Sequence, residues 1–372
     1  MAKRIKKSAP LFLIAILTIG LTAVYLYIML SNTERNVIFE NTLLNRHNSL
    51  EQTYGVAASA GQTIGEVKND SLVGDYCPDG LDKNKNLLRP IGVMLAGDAV
   101  TRPLSGIGQA DVVIEMPVIT RGINRFLALF QCTDAKEIGS VRSARDDFIP
   151  LAAAFDAVFA HWGGSHFALD ELKKKIIDNL DALQNRFGAY YRKKGIAAPN
   201  NGFSNLQRLR DASQRASFRV LQNPGYGYKR INKDQTELAE QWFNLDIKYP
   251  GTFAVRWVFD PDKKTFLRFR GGTKEVDKNT GLQVASPNVI IIKTTSRQIE
   301  GQYNDVKVTG RGEAIIYRTG KEIKATWDKD INNLSARLLF LDEQGQEIPL
   351  VPGKIWLEYI DQKTNISYTP VS

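Results

Sequence analysis

What most limits how this chain can fold is its uncharged start. No charged residue occurs from Ser8 to Thr33, and Pro10–Leu30 is almost wholly apolar. A run of ~20 apolar residues spans the hydrocarbon core of a bilayer as a helix. A cleavable signal peptide has a shorter apolar core of about 7–15 residues and a small-residue cleavage site. Here Tyr25, Tyr27 and Met29 occupy the exit end instead. Lys3, Arg4, Lys6 and Lys7 precede the run, and positive charge stays in the cytoplasm. The pattern predicts residues 1–9 as a cytoplasmic basic tail and residues 10–31 as a transmembrane signal anchor. The protein is then a single-pass protein of the cell membrane, and its folded parts lie outside the cytoplasm.

The remaining length, in a chain of 372 residues, suffices for two domains of ordinary size. The formal net charge is +9, and the four basic residues of the tail supply a large share of it. Elsewhere acids are interspersed with bases, without the clustered basic face that nucleic acid needs, so no nucleic-acid partner is expected. Two cysteines, Cys77 and Cys132, leave two readings open: one disulfide in an oxidising compartment, or two free thiols. Asp82, Asn84 and Asn86 imitate the opening of a calcium loop, but Leu87 replaces its glycine and Val93 its closing glutamate. No metal-ligand spacing or cofactor motif is present, and neither is expected.

Residues 32–88 are rich in Asn, Gln, Ser and Gly without sustained periodicity and read as a linker. Residues 89–245 read as an α/β (α+β) ligand-site domain. Its strand candidates are Ile91–Leu95, Ala110–Pro117, Arg125–Gln131 and Ala157–Trp162. Helical spacing appears over Asp146–Asp156, Phe167–Leu183, Asp211–Leu221 and Thr236–Asn244. Residues 246–372 read as a packed, mainly antiparallel β domain. Runs such as Thr265–Arg270, Asn288–Thr294 and Ile355–Ile360 are separated there by turn signals such as Asn279-Thr280-Gly281. Nothing Pro/Ser-rich separates the halves, which suggests an intimate join.

Chemistry concentrates between residues 120 and 166. Arginine forks suit bidentate recognition of carboxylate or phosphate, and Arg125, Arg142 and Arg145 lie among glycines that permit close approach. Arg142 and Arg145 are three apart, so on a helical turn they face the same way. At a helix start, backbone N–H groups would add affinity for an anion. The blander reading pairs them with Asp146, Asp147 or Glu115 as loop ties. His161 ends an apolar strand before Trp162-Gly163-Gly164-Ser165, a normal position for ligand contacts in an α/β sheet. A serine beside a histidine invites a hydrolase reading, yet Gly-Gly-Ser-His lacks the Gly-x-Ser-x-Gly elbow. His161 and Ser165 are therefore ligand-contact candidates rather than a catalytic pair. Arg192 and Asn200 are candidates for a second wall of the same cleft. Asp111, Glu115, Asp146 and Asp147 are the carboxylates available for hydrolytic chemistry on glycans. Trp327 and Trp356 read more simply as core than as a carbohydrate platform.

These landmarks resemble the YerB-like family of bacterial envelope proteins, a domain of unknown function, over residues 89–362. The similarity rests on Arg89-Pro90-Ile91-Gly92-Val93-Met94, Arg102-Pro103-Leu104-Ser105-Gly106, Asn124-Arg125-Phe126 and Gly139-Ser140-Val141-Arg142-Ser143-Ala144-Arg145. Gly310-Arg311-Gly312, Thr326-Trp327 and Pro352-Gly353-Lys354-Ile355-Trp356 continue it into the second half. Some members are lipoproteins held through a cysteine, which is missing near this N-terminus. The family also tends to carry a histidine where Glu275 stands, two before Asp277. The resemblance implies an envelope location and a two-part ectodomain, but no established activity. The expected function is binding of an anionic, carboxylate-bearing cell-wall polymer or an envelope protein. The alternative is a hydrolase or transferase acting on peptidoglycan.

Overall fold

A computed structural model describes residues 88–370, apart from residues 120–121, 232–236, 241 and 302. The expected tail, the anchor over residues 10–31, nearly all of the linker and Cys77 lie outside the described residues. Cys132 is disulfide-bonded, and the sequence holds one other cysteine, Cys77. Among the described residues no helix is long and apolar enough to cross a membrane.

The first half forms β1 (Ile91–Ala96), β2 (Val112–Pro117), β3 (Asn124–Phe130), β4 (Ile138–Gly139) and α1 (Phe148–Ala154). Next come β5 (Val158–His161), α2 (His166–Lys173), β6 (Asn179–Asp181), β7 (Tyr191–Arg192), β8 (Gly202–Ser204) and α3 (Leu206–Arg215). The described second half is of strands and turns, with one short 3-10 helix at Gly251–Phe253. It begins with β9 (Phe243–Ile247), β10 (Val255–Asp260), β11 (Thr265–Arg270), β12 (Thr273–Lys274), β13 (Ala285–Ser286) and β14 (Asn288–Thr294). It continues with β15 (Ser296–Glu300), β16 (Tyr303–Val306), β17 (Gly310–Arg318), β18 (Lys321–Lys329), β19 (Leu339–Leu341), β20 (Ile355–Asp361) and β21 (Ile366–Pro370).

The molecule is mostly β, with few helices. One ten-stranded sheet runs β19-β18-β17-β14-β20-β2-β3-β1-β5-β6 and draws strands from both halves. β20 joins them: it pairs in parallel with β14 on one side and with β2 on the other, Ile355 facing both Asn288 and Val112. β1, β5 and β6 are parallel neighbours, as the strand–helix alternation of the first half implies. A second sheet, β12-β11-β10-β9-β21 with β13 beside β11, is antiparallel throughout.

Alternation of side chains places two cores on the two faces of the long sheet. On one face Val93, Phe126 and Trp356 meet Trp257 and Phe266 of the second sheet and Leu209 of α3. On the other, Leu127, Phe159, Ile290 and Leu357 meet Phe148 and Leu151 of α1 and Leu172 of α2. Trp327 and Trp356 are fully buried, as their core reading predicts.

Three helical expectations fail in whole or in part: within Asp211–Leu221 the helix α3 ends at Arg215, and Ser217 takes a positive φ of 60°. The pattern over Phe167–Leu183 is helical only to Lys173; Lys175 takes a positive φ of 57°, and Asn179–Asp181 joins the sheet as β6. Within Thr236–Asn244, Phe243 and Asn244 open the strand β9 rather than end a helix. Leu245 and Ile247 are buried there between β10 and β21, so sheet burial outweighs local helix propensity.

Candidate functional site

Residues 140–145 run from β4 as an extended strap, and a turn at Asp146 and Asp147 leads into α1. Val141 bridges Leu95, and the Arg142 N–H donates to the Met94 carbonyl at 2.9 Å. Ala144 bridges Gly164, and the Trp162 N–H donates to the Arg142 carbonyl at 3.0 Å. The segment is thus wedged between the C-terminal ends of β1 and β5, two adjacent parallel strands. Such ends are where open α/β sheets place ligands. Arg142 and Arg145 do not share a helical turn, because α1 starts only at Phe148 and has seven residues. They come together through an extended strap instead.

Arg125 reaches the strap from β3, its Nη1 donating to the Ser143 carbonyl at 2.8 Å. Arg125, Arg142 and Arg145 lie close enough to raise one another's energy. Burial, with the charges of Arg145 and Arg142, pushes the Arg125 guanidinium down to about 9. Burial also lowers Arg145, which lies with its Cζ 5.2 Å from the centre of the Tyr303 ring. Among the described residues the trio makes a single ion pair, Arg142 to Asp98 at 3.3 Å. The Nε atoms of all three arginines are buried without a hydrogen-bond partner. Neither Arg142 nor Arg145 lies within ion-pair distance of Asp146, Asp147 or Glu115; Arg142 pairs with Asp98 instead, and the Arg145 Nη1 donates to the Ala144 carbonyl at 3.0 Å.

Asp146 and Asp147 directly follow Arg145. Asp147 accepts from the Val306 N–H at 3.1 Å, and burial beside Asp146 pushes its carboxyl up to about 8. Burial raises Asp146 too, against a hydrogen bond from Ser165 at 3.4 Å. Next to Asp98, Gly97 tolerates no side chain: a Cβ there would sit 1.8 Å from the Asn124 carbonyl oxygen.

The other candidate residues stand apart from the trio. Ser165 caps α2 by accepting from the Ala168 N–H at 3.1 Å. His161 is fully buried, with Nδ1 2.9 Å from the Gly163 carbonyl and Nε2 3.2 Å from Asn179 Oδ1. Its ring contacts Phe159, on the α1/α2 face. Arg192 is exposed, stacked 4.5 Å over Trp162 and bonded to Asn201. Trp162 packs against the opposite core, so Arg192 lies across the sheet from the trio. Asn200 keeps a buried Oδ1 without a partner.

A larger polar cluster escaped the sequence reading. Arg268 lies over both the Trp257 and Trp356 rings, which meet edge-on, and binds Glu115, Glu358 and, at 2.6 Å, Glu275. Arg270 stacks on Phe126 and lies 3.5 Å from both Glu115 and Glu275. All five are buried between the two sheets. Burial opposes charge on Arg268, but its three carboxylates more than reverse that and hold it above the ordinary value. Glu358 is pushed up to about 8 by burial and by Glu115. The available signal was charge in otherwise apolar strands, Glu115 in β2 and Glu358 in β20. Glu275 is engaged in this cluster by both Arg268 and Arg270.

A cleft of about 320 Å³ lies elsewhere, lined by Lys293, Thr294, Lys307, Arg311, Glu313 and Trp327 among others. Two of its cations are already paired, Lys293 to Glu313 and Arg311 to Asp328. Among the described residues no cluster of His, Cys, Asp and Glu is arranged to hold a metal ion.

Comparison with known proteins finds two matching family models. The N-terminal domain of a protein of unknown function (DUF3048) matches residues 79–219, and the C-terminal domain of the same family matches residues 245–357. The putative lipoprotein YerB of Bacillus subtilis (strain 168) is 27% identical over 279 residues, 73% of this chain and 81% of that protein. The crystal structure of the YerB protein from Bacillus subtilis is similar with a TM-score of 0.67 at 26% identity. The match covers 77% of this chain and 96% of that one.

Proposed function

The chain belongs to the YerB-like family of unknown function, and from that premise we propose that it is a membrane-anchored binding protein of the cell envelope. Its ligand in this reading is an anionic, carboxylate-bearing cell-wall component or the acidic surface of an envelope protein. The observation that carries the reading is the convergence of Arg125, Arg142 and Arg145, with one ion pair among them and three buried unfilled donors. Buried charge is costly unless paired, and a bound carboxylate or phosphate supplies the missing partner. His161 and Ser165 support the loops that carry the trio. Arg192 and Asn200 offer a separate polar contact across the sheet.

Similarity to the putative lipoprotein YerB supports placement outside the cytoplasm at a membrane. The apolar run over residues 10–31 takes the part of the lipid. The Ser165 hydroxyl is engaged by the Ala168 N–H and by Asp146, which speaks against a nucleophilic serine in the hydrolase or transferase alternative.

The test is retention of the full-length chain on purified cell wall and on membrane extracts at low and high salt. With Arg142→Ala and Arg145→Ala together, affinity falls about tenfold or more, the loss of one charge-assisted contact or better. Unchanged retention sinks the reading. Soluble wall fragments released by the native chain but not by the variant would favour the enzyme alternative.

A further inference from the structure

The arginine trio has an acidic neighbour that a simple anion would have to face. Arg145, Asp146 and Asp147 are consecutive, with neighbouring Cα atoms about 3.8 Å apart. The cationic and anionic groups lie near enough to act on each other: Asp146 and Asp147 raise Arg145 against the burial that lowers it, and Arg145 lowers both aspartates against the burial that raises them. They do not neutralise each other by contact: among the described residues no ion pair within 4 Å joins either aspartate to any of the three arginines. A third carboxylate, Asp305 of β16, lies near enough to raise both aspartates, but it is already bonded to Arg297 at 2.9 Å. Asp146 accepts from the Ser165 hydroxyl and is also steadied by its own backbone N–H, and Asp147 accepts from the Val306 N–H. The Tyr303 ring lies under Arg145, closing this part of the site with an aromatic face.

Each set is unfavourable alone. Three partly desolvated guanidiniums repel one another, and so do two adjoining carboxylates. An anion bound to the arginines relieves the first repulsion but adds to the second. A ligand carrying a carboxylate and an ammonium a few bonds apart relieves both. Burial beside Asp146, which pushes Asp147 up to about 8, is what an arriving ammonium would reverse.

We propose that this site is selective for a zwitterion: its carboxylate sits on Arg125, Arg142 and Arg145, and its free ammonium sits against Asp146 and Asp147. The ligand class is an amino acid or peptide with an unblocked amine. The inference rests on the anion-binding reading above and narrows it. Carboxylate-only compounds are then disfavoured by design, since the acidic pair repels them.

The experiment is calorimetric titration of the full-length chain with three probes that differ mainly in the amine: glutamate, N-acetylglutamate and glutarate. Glutamate is expected to bind about tenfold tighter than either of the others. Asp147→Asn and, as a second variant, Asp146→Asn should reduce that preference while thermal melting shows the fold intact. Arg142→Ala should weaken all three probes. Equal or tighter binding of glutarate to the native chain, with the Arg142 dependence kept, overturns the zwitterion inference and leaves the anion reading standing. Binding of none of the three overturns both.

Discussion

Ser165 shows how one side chain serves a site without touching a ligand in it. Its hydroxyl accepts from the Ala168 N–H and donates to Asp146, so it caps α2 and ties that cap to the residue after Arg145. Replacing an N-cap serine with alanine costs about 0.5–2 kcal/mol. Ser165→Ala should therefore lower the melting temperature by a few degrees. Stability unchanged within a few tenths of a kcal/mol would refute the cap role. At this scale the sequence singles out residues but is silent about their partners. Arginines among glycines pointed to Arg125, Arg142 and Arg145. Whether those arginines are paired depends on where Asp146, Asp147 and Glu115 aim, which no spacing rule reveals. Glu115 is the clearest case, bound not by a nearby arginine but by Arg268 from the other sheet.

At the scale of elements, strands with strong apolar runs were legible. Thr265–Arg270 and Asn288–Thr294 occur where the turn signals bound them. Two of the misreadings share one cause, a place in a sheet. Ile176, Ile177 and Leu180 continue the spacing of α2, but the long sheet offers Leu180 a place opposite Ala160. The chain reverses into that place at Lys175, whose φ is 57°. A non-glycine residue in the left-handed region is strained by roughly 1–2 kcal/mol, and glycine removes that strain at some entropic cost. Lys175→Gly should thus stabilise the protein by about 0.5–1 kcal/mol in denaturant unfolding. A destabilisation instead would mean that the Lys175 side chain contributes contacts its exposed position does not suggest.

For the whole molecule the decisive contact is between parts far apart in sequence. β20 fills the gap between β2 and β14, and it carries Glu358 into the cluster around Arg268. No local pattern discloses that pairing, because parallel neighbours this distant leave no turn signal between them. The cluster also gives the molecule a pH signature. One guanidinium, Arg268, serves three buried carboxylates, with Arg270 helping two of them. Burial and Glu115 push Glu358 up to about 8, against 4.5 for the free group. The folded state thus binds this proton more tightly than the unfolded chain, and unfolding releases it between those two values. Stability from this group is complete below about pH 4.5 and is lost as pH rises toward about 8, at up to about 1.4 kcal/mol per pH unit. Glu275 works the other way: burial opposes its charge, but Arg268 and Arg270 lower it, so its contribution is lost only in acid. Asp147, also raised, slopes with Glu358 and keeps its slope in a Glu358 variant. Glu358→Gln keeps an oxygen for Arg268 and the Trp257 indole N–H but has no proton to lose. The difference in unfolding free energy, native minus variant, should fall steadily between pH 5 and 8 and level off above. The measurement is urea unfolding across that range, and a difference independent of pH would show that Glu358 stays ionised beside Arg268 throughout.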